Sequence, residues 1–418
     1  MSEIYCNTNG TLLTDLDGNF ITSIPIPSID LMLQGNQFPP THPNNPNGYA
    51  RFITSGDNTI YIDFGDGSPI YTQEFTGIVH FPGNEPIHIY EDTDTKTAKI
   101  WFEYPQRVTG VNLYYQAYIG PFPLNLGFYN LDLLSIRNTR FEEFPLNFLG
   151  GVFNRITIRN ITMMVITFIP SWILSSRIQS LDLQGGINLE NDTTDSIENV
   201  INIQELGTLS LAGTNLTDIP TNFKDITTLR RLFLGNNPFT EITQNVNDCK
   251  QITELSFGYY ADYWTAGGSD LFTSWGVGIA NMPNLQVFRF DNCNNAPDTL
   301  PTGIETAPNC KTIWARTNRT QVRQDTFIEN VYNQVTTTAS MATGEGVLRR
   351  TTLRIERFSV NQYLRPSGIY QAPAGYVQGS SNGKPASPME MIYVLVNQYE
   401  WTIYVTSEGA SGHDIYAP

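Results

Sequence analysis

Basic residues are scarce in this chain. Lysine and arginine number 24 against 40 aspartates and glutamates, for a formal net charge of −16 over 418 residues. A duplex-binding surface needs clustered Lys and Arg to neutralise phosphates, and the sequence has no such cluster, so nucleic acid is not an expected partner. Cysteine and histidine are scarcer still, at 4 each. Cys6, Cys249, Cys293 and Cys310 are scattered without a C-x-x-C spacing, and His42, His80, His88 and His413 stand far apart. They spell neither a zinc site nor a disulfide framework, so small buried thiols are expected, with no metal and no cofactor. No run of 18 apolar residues occurs, and membrane insertion is not expected. No G-x-S-x-G stands on a strand-to-helix turn, and no H-E-x-x-H or P-loop occurs, which argues against an enzyme. The chain opens MSEIYCNTNG, without the basic start and apolar core of a secretion signal, and it ends without an apolar anchor. Folding in a reducing cytoplasm is the expectation.

What the chain has is a pattern written twice in succession. LSLAGTNLTDIP (Leu209 to Pro220) is followed 23 residues later by LFLGNNPFTEIT (Leu232 to Thr243). Both fit L-x-L-x-x-[NT]-x-[LF]-x-x-I, and a period of 20–29 residues with that consensus marks a leucine-rich repeat. The two apolar residues of L-x-L share one strand face because strand side chains alternate with period two. The sixth residue, Thr214 or Asn237, can bond free backbone groups at the corner. One turn cannot bury its apolar face alone, so turns must stack. First positions fall at 134, 156, 181, 209, 232, 255, 288 and 313, with uneven spacings of 22, 25, 28, 23, 23, 33 and 25. The turn beginning at Leu181 reads as interrupted by Gly185 and Gly186.

Four regions follow. Residues 1–48 are proline- and asparagine-rich and read as an N-terminal arm or docking segment. Residues 49–112 read as a small β-domain, with strand-like runs at Ala50–Thr54, Thr59–Phe64, Ile78–Phe81, Ile87–Tyr90 and Ala98–Tyr104. Residues 113–320 hold the repeats. Residues 321–418 contain a helical pattern over Gln324 to Val335, a loop over Ser367 to Pro388 and an S-x-x-E capping box (Ser387, Pro388, Glu390), then a last strand, Trp401 to Val405.

Within 49–112 the strings YIDFGDGS (Tyr61 to Ser68), HIYED (His88 to Asp92) and AKIWFEY (Ala98 to Tyr104) resemble the polycystic-kidney-disease (PKD) type immunoglobulin-like domain, with its G-D-G turn and later H-x-Y strand. Asp63 and Asp66 read as turn carboxylates, with a calcium site as the alternative. The repeat wording, the sandwich before it and the closing unit after it resemble the BspA-like leucine-rich-repeat proteins of Bacteroidetes and their crAss-like phages. The resemblance implies a mainly β chain: a parallel β-solenoid, an N-terminal PKD-type β-sandwich and a helix-containing C-terminal cap. It also implies adhesion rather than chemistry.

The 33-residue spacing between Leu255 and Phe288 inserts a glycine-punctuated loop from Gly258 to Gly278. It gathers Tyr259, Tyr260, Tyr263, Trp264, Phe272 and Trp275, and such insertions often mark a binding face. These six are the expected contact residues for a glycan or protein. The expected role is a structural or adhesive component of a phage virion, a homo-oligomer contacting other virion proteins and a host-surface glycan or protein. A bacterial cell-surface adhesin and a glycan-degrading enzyme are the alternatives.

Overall fold

The computed structural model describes residues 28–33, 37–38, 49–81, 88–92, 94–114, 118–122, 131–137, 139–143, 153–159, 167–174, 177–185, 188–189, 196–258, 271–307, 309–317, 319–337, 351–355, 365–380, 383–407 and 413–418. The chain is mainly β, with a large mixed sheet and few helices. It divides into two compact units, Met1–Phe153 and Asn154–Pro418.

The first unit contains β1 (Ile29–Leu33), β2 (Gln37–Phe38), β3 (Tyr49–Asp63), β4 (Tyr71–Phe81), β5 (His88–Ile89), β6 (Lys96–Phe102), β7 (Val108–Tyr114), β8 (Tyr118–Pro121), β9 (Leu133–Arg137) and β10 (Arg140–Glu143). The two runs expected at 50–54 and 59–64 are one long strand, β3, with an irregularity between Ile53 and Asp57. Its first half pairs antiparallel with β7 and its second half with β6. Buried Asn58 holds the bend: its Oδ1 accepts from the Thr59 and Tyr104 amides, and its Nδ2 donates to the Tyr104 carbonyl at 2.9 Å. Inward residues from both halves share one core, where Phe52 meets Phe102 edge-on at 5.2 Å. The region read as an arm supplies β1, which pairs with both β6 and β8 and buries Ile29, Leu31 and Leu33. Leu134 and Ile136, assigned to the repeats by template, lie on β9, which pairs parallel with β7 inside this unit.

The second unit carries a parallel ladder: β11 (Arg155–Arg159), β12 (Ser180–Gln184), β13 (Thr208–Ser210), β14 (Arg231–Phe233), β15 (Glu254–Ser256), β16 (Val287–Arg289), β17 (Thr312–Trp314), β18 (Thr352–Arg354) and β19 (Thr402–Thr406). An antiparallel strand, β20 (His413–Tyr416), adds to its end. The register places Ile156, Leu181, Leu209, Leu232, Leu255, Phe288, Ile313, Leu353 and Ile403 side by side. All nine are buried, as is the apolar residue two places on in each strand or just past it (Ile158, Leu183, Leu211, Leu234, Phe257, Phe290, Ala315, Ile355, Val405).

Away from the ladder the apolar period changes from two to three. Val200, Ile203 and Leu206 are followed in later turns by Phe223, Ile226 and Leu229, by Val246, Cys249 and Ile252, by Ile279, Met282 and Leu285, and by Ile304, Ala307 and Cys310, all buried. Amides of Ile203, Ile226, Cys249, Met282 and Ala307 donate to the carbonyls three residues back, the bond pattern of a 3₁₀ helix, in which residues i and i+3 eclipse.

At four corners, the fifth residue counted from the first strand position (181, 209, 232 and 288) is left-handed: Gly185 (φ 59), Gly213 (φ 66), Asn236 (φ 54) and Asn292 (φ 58). Glycine and asparagine are the residues that enter that region readily. Gly185 is thus the regular corner residue and no interruption. The sixth residue behaves as its chemistry suggested. Asn237 Oδ1 accepts from the amides of Thr214 (2.9 Å) and Leu216 (3.2 Å), and its Nδ2 donates to the carbonyls of Leu211 (2.7 Å) and Leu234 (3.0 Å). Backbone groups that have no ladder partner at the corner are thereby satisfied.

Two helices finish the unit. Gln321–Thr337 buries Phe327, Ile328, Val331 and Val335. Arg319 and Arg323 share Asp298, and Arg323 also reaches the Asn294 and Ala296 carbonyls, tying the helix start to the loop after β16. Pro388–Tyr399 starts at the expected capping box: Ser387 Oγ accepts from the Glu390 amide, while Glu390 Oε2 accepts from Ala386, one residue earlier than the usual partner.

Candidate functional site

The aromatic insertion does not present its described aromatic residues to solvent. Tyr259, Tyr260, Tyr263 and Trp264 lie outside the described residues. Phe272 is 0% exposed and Trp275 6%. Phe272 packs on Phe257 at 5.0 Å, and Trp275 lies 5.9 Å from Phe288 and 5.1 Å from Phe290, with its Nε1 donating to Thr299 Oγ1 at 2.8 Å. These two are core residues, so their expected role as ligand contacts is withdrawn. The physical reason is local: the aromatic strand residues Phe257, Phe288 and Phe290 leave an interior that large rings fill.

The functional-looking chemistry lies instead on the outward column of the ladder, the middle residue of each L-x-L. From β16 to β19 this column reads Arg289, Trp314, Arg354, Tyr404. The Arg289 guanidinium carbon stands 4.1 Å from the Trp314 ring centre and that of Arg354 4.4 Å, each coming from a strand beside it. Arg354 also lies 4.6 Å from the Tyr404 ring. Arg316, from the next outward position of the same turn, adds a third guanidinium at 4.2 Å from Trp314. Such cation–π contacts are worth about 0.5–2 kcal/mol each, more as they are desolvated.

The arginines differ in their partners. Arg316 is buried and doubly bound to Asp291, through Nε to Oδ1 at 3.0 Å and Nη2 to Oδ2 at 3.3 Å. Arg289 Nε lies 3.0 Å from Glu254 Oε1, an ion pair by distance, but the N–H is not directed along that line. Its Nη1 is buried and has no hydrogen-bond partner. Beside the stair runs a column of half-buried threonines, Thr312, Thr352 and Thr402, in register on successive strands.

In the first unit the G-D-G turn and the H-x-Y strand form a clasp. Asp63 Oδ1 accepts from the Gly65 amide and Asp66 Oδ1 from the Ser68 amide, so both carboxylates are engaged in the turn. Gly65 has φ 76, and a Cβ there would stand 2.3 Å from the Thr97 carbonyl oxygen, so glycine is required twice over. His88 stacks on Phe64 at 4.1 Å and bonds Asp66 Oδ2 through Nε2 at 2.7 Å, while the Tyr90 hydroxyl donates to the Phe64 carbonyl. The Ser68 side chain and amide, with His88, bring the Asp66 carboxyl down to about 2. A cleft of ≈ 390 Å³ on the same unit is lined by Asp57, Asn58, Glu74, Phe75, Glu103 and Tyr104. Two of its three carboxylates are held by neighbours, Asp57 by Thr76 and Glu103 by Thr59.

Among the described residues, no three or more His, Cys, Asp and Glu side chains gather as a metal site, and no helix is long and apolar enough to cross a membrane. Cys249, Cys293 and Cys310 are buried and form no disulfide among the described residues, and burial pushes the Cys249 and Cys310 thiols up to about 12. They are packing residues, not nucleophiles. No protein-family model matches this chain, and no curated protein does.

Proposed function

We propose that the chain is a binding module without chemistry of its own. In this reading the ladder is a leucine-rich-repeat β-solenoid, residues 49–112 within the first unit are a PKD-type immunoglobulin-like sandwich, and the Pro388–Tyr399 helix with β19 and β20 forms the solenoid's cap. The module serves as a structural or adhesive component of a bacteriophage virion (a fibre, tail or capsid decoration) and offers its outward strand face to a host-surface glycan or protein. The observation that carries the binding reading is the stair from Arg289 to Tyr404, charged and aromatic side chains held in register on a rigid sheet. Sites on strands hold their groups more precisely than sites on loops. The buried thiols of Cys249 and Cys310, raised to about 12 by burial, suit folding in a reducing compartment, as virion proteins do before lysis. The test is to look for peptides of this chain in gradient-purified particles and in host membrane fractions. Recovery with particles is expected, and recovery only from membranes of uninfected cells would replace the virion assignment by a cell-surface adhesin.

A further inference from the structure

The first unit leaves one long strand without an outer neighbour. Residues of β3 that pair with β4 on one side pair with β6 or β7 on the other. Ile60 lies between Gln73 and Phe102, Ile62 between Tyr71 and Ile100, and Phe52 between Val79 and Val111. β4 is therefore outermost, and among the described residues it bonds to β3 alone. A free edge offers a row of unpaired N–H and C=O groups, which proteins usually blunt with a short strand, lysine, proline or a bulge. β4 has 11 residues, YTQEFTGIVHF, with no lysine, arginine or proline. Its one irregularity, at Gly77 (φ 76), comes after Thr76. The core is also open along this edge. Tyr71 and Gln73 point inward beside Ile62 and Ile60, yet both are half-buried while those two β3 residues are 0% exposed. Phe75, also half-buried, meets Phe102 edge-on at 6.4 Å, and Tyr71 meets Phe81 at 6.1 Å, so the rim of the core is aromatic. Only an extended strand can bond such an edge along its length. The sequence of β4 itself fits that place. Two copies related by a two-fold axis normal to the sheet must pair residues of like face, so the axis passes through a residue. Centred on Gln73, the pairing sets Tyr71 opposite Phe75 twice and Thr72 opposite Glu74 twice. Aromatic cross-strand pairs are favourable, and no like charges meet. Ile70, 53% exposed, comes opposite Thr76. Gln73 Oε1 accepts from the Tyr71 hydroxyl at 2.9 Å, which leaves its amide N–H groups for its counterpart. An axis through Glu74 would set two carboxylates face to face, and one through Phe75 runs the strand into Gly77. Chains of net charge −16 repel one another, which favours contact where carboxylates are few, and β4 has one.

We propose that β4 is the edge through which two copies of this chain join, antiparallel and centred on Gln73, so that the sheet of one continues into the other. The proposal is independent of which face of the ladder meets a ligand. Sedimentation velocity of the full chain across the micromolar range should show a dimer that dissociates on dilution. Gln73→Lys sets two cations opposite each other and should raise the dimer dissociation constant at least about tenfold, as should Gln73→Glu with two carboxylates. An equimolar mixture of the two variants should recover a mixed dimer, because a cation then meets a carboxylate. Hydrogen exchange of the wild-type amides from Tyr71 to Phe75 needs no substitution, and it should slow as concentration rises. A chain that stays monomeric at every concentration overturns the proposal. So does a dimer that both variants leave intact while thermal melting shows them folded. A dimer whose Tyr71–Phe75 amides exchange at one rate at every concentration joins through another face, and the proposal falls. A mixture no tighter than either variant alone removes the register centred on Gln73, and the proposal with it.

Discussion

The two halves of the parallel ladder obey the same register and use their outward faces differently. From β12 to β15 the outward residues are Asp182, Ser210, Phe233 and Ser256, none more than 7% exposed. Their polar atoms are satisfied within the ladder: Gln184 Nε2 donates to Asp182 Oδ1 and Ser210 Oγ, and Ser256 Oγ donates to the Gly258 carbonyl. From β16 to β19 the same column becomes Arg289, Trp314, Arg354 and Tyr404, half-buried, with an unpartnered donor on Arg289. Closed hydrogen bonding on a buried face is what a scaffold needs. Stacked cations and rings on a partly open face are what the proposed binding surface would use. On that proposal the closed half of the ladder does the holding and the half from β16 on carries the contact groups.

The largest expected effect tests the holding half. Leu232→Ala or Leu234→Ala, both 0% exposed, should cost about 2–5 kcal/mol in urea unfolding. Trp314→Ala should cost less, about 1.5–3 kcal/mol, because its losses are three cation–π contacts at a partly open face, each worth about 0.5–1 kcal/mol there. Equal costs would mean that the stair is core and the contrast between halves is false. Next comes the corner. Asn237→Ala strands amides and carbonyls that Asn237 now bonds, each worth about 1–3 kcal/mol when buried and unsatisfied. Cys293 stands at the same sixth position in the turn of β16, where its thiol donates a weak bond to the Phe257 carbonyl at 3.4 Å. Cys293→Ala should therefore destabilise clearly less than Asn237→Ala. At the fifth position, Gly213→Ala should cost about 1–2 kcal/mol for its left-handed backbone, and Gly213→Asn much less, as read by thermal melting.

Much of the ladder was legible because alternation in L-x-L is short and survives irregular spacing. Every first position from 156 to 313 lies in a strand of the register. The capping box and the helix over 324–335 were legible for the same reason, as local chemistry with a local cause. The period of three, present at Phe223, Ile226 and Leu229, matches neither the strand period of two nor the helical 3.6, so neither pattern finds it. Gly185 resembles a break when read without its neighbours, and the left-handed Gly213 and Asn236 show it to be a corner. The stair was hidden for a deeper reason. Its members are 25, 40 and 50 residues apart (289 to 314, 314 to 354, 354 to 404), and only the register of the strands turns those distances into one column. The aromatic insertion misled because rings among glycines look the same in sequence whether they point out or in, and Phe272 and Trp275 point in.

The smallest effect separates the turn of the first unit from either half of the ladder. Asp66 ionises near 2 in the folded chain against 3.8 for the free side chain, owing first to Ser68 and then to His88. A carboxyl whose folded value is depressed stabilises the fold fully above its unfolded value, and that contribution fades as pH falls through the folded one. The window is therefore pH 4 down to 2. Solvent screens so exposed a carboxylate, so the loss should stay below about 1 kcal/mol. Thermal melting of the wild-type chain and of Asp66→Asn between these pH values should show a shallow additional slope in the wild type alone. Gly65→Ala, which meets both a positive φ and the Thr97 carbonyl, should damage the same clasp at every pH. If Asp66→Asn keeps the acid slope, the clasp is held by Phe64, His88 and Tyr90 packing rather than by charge. That result would class the turn with the closed half of the ladder instead of with the stair.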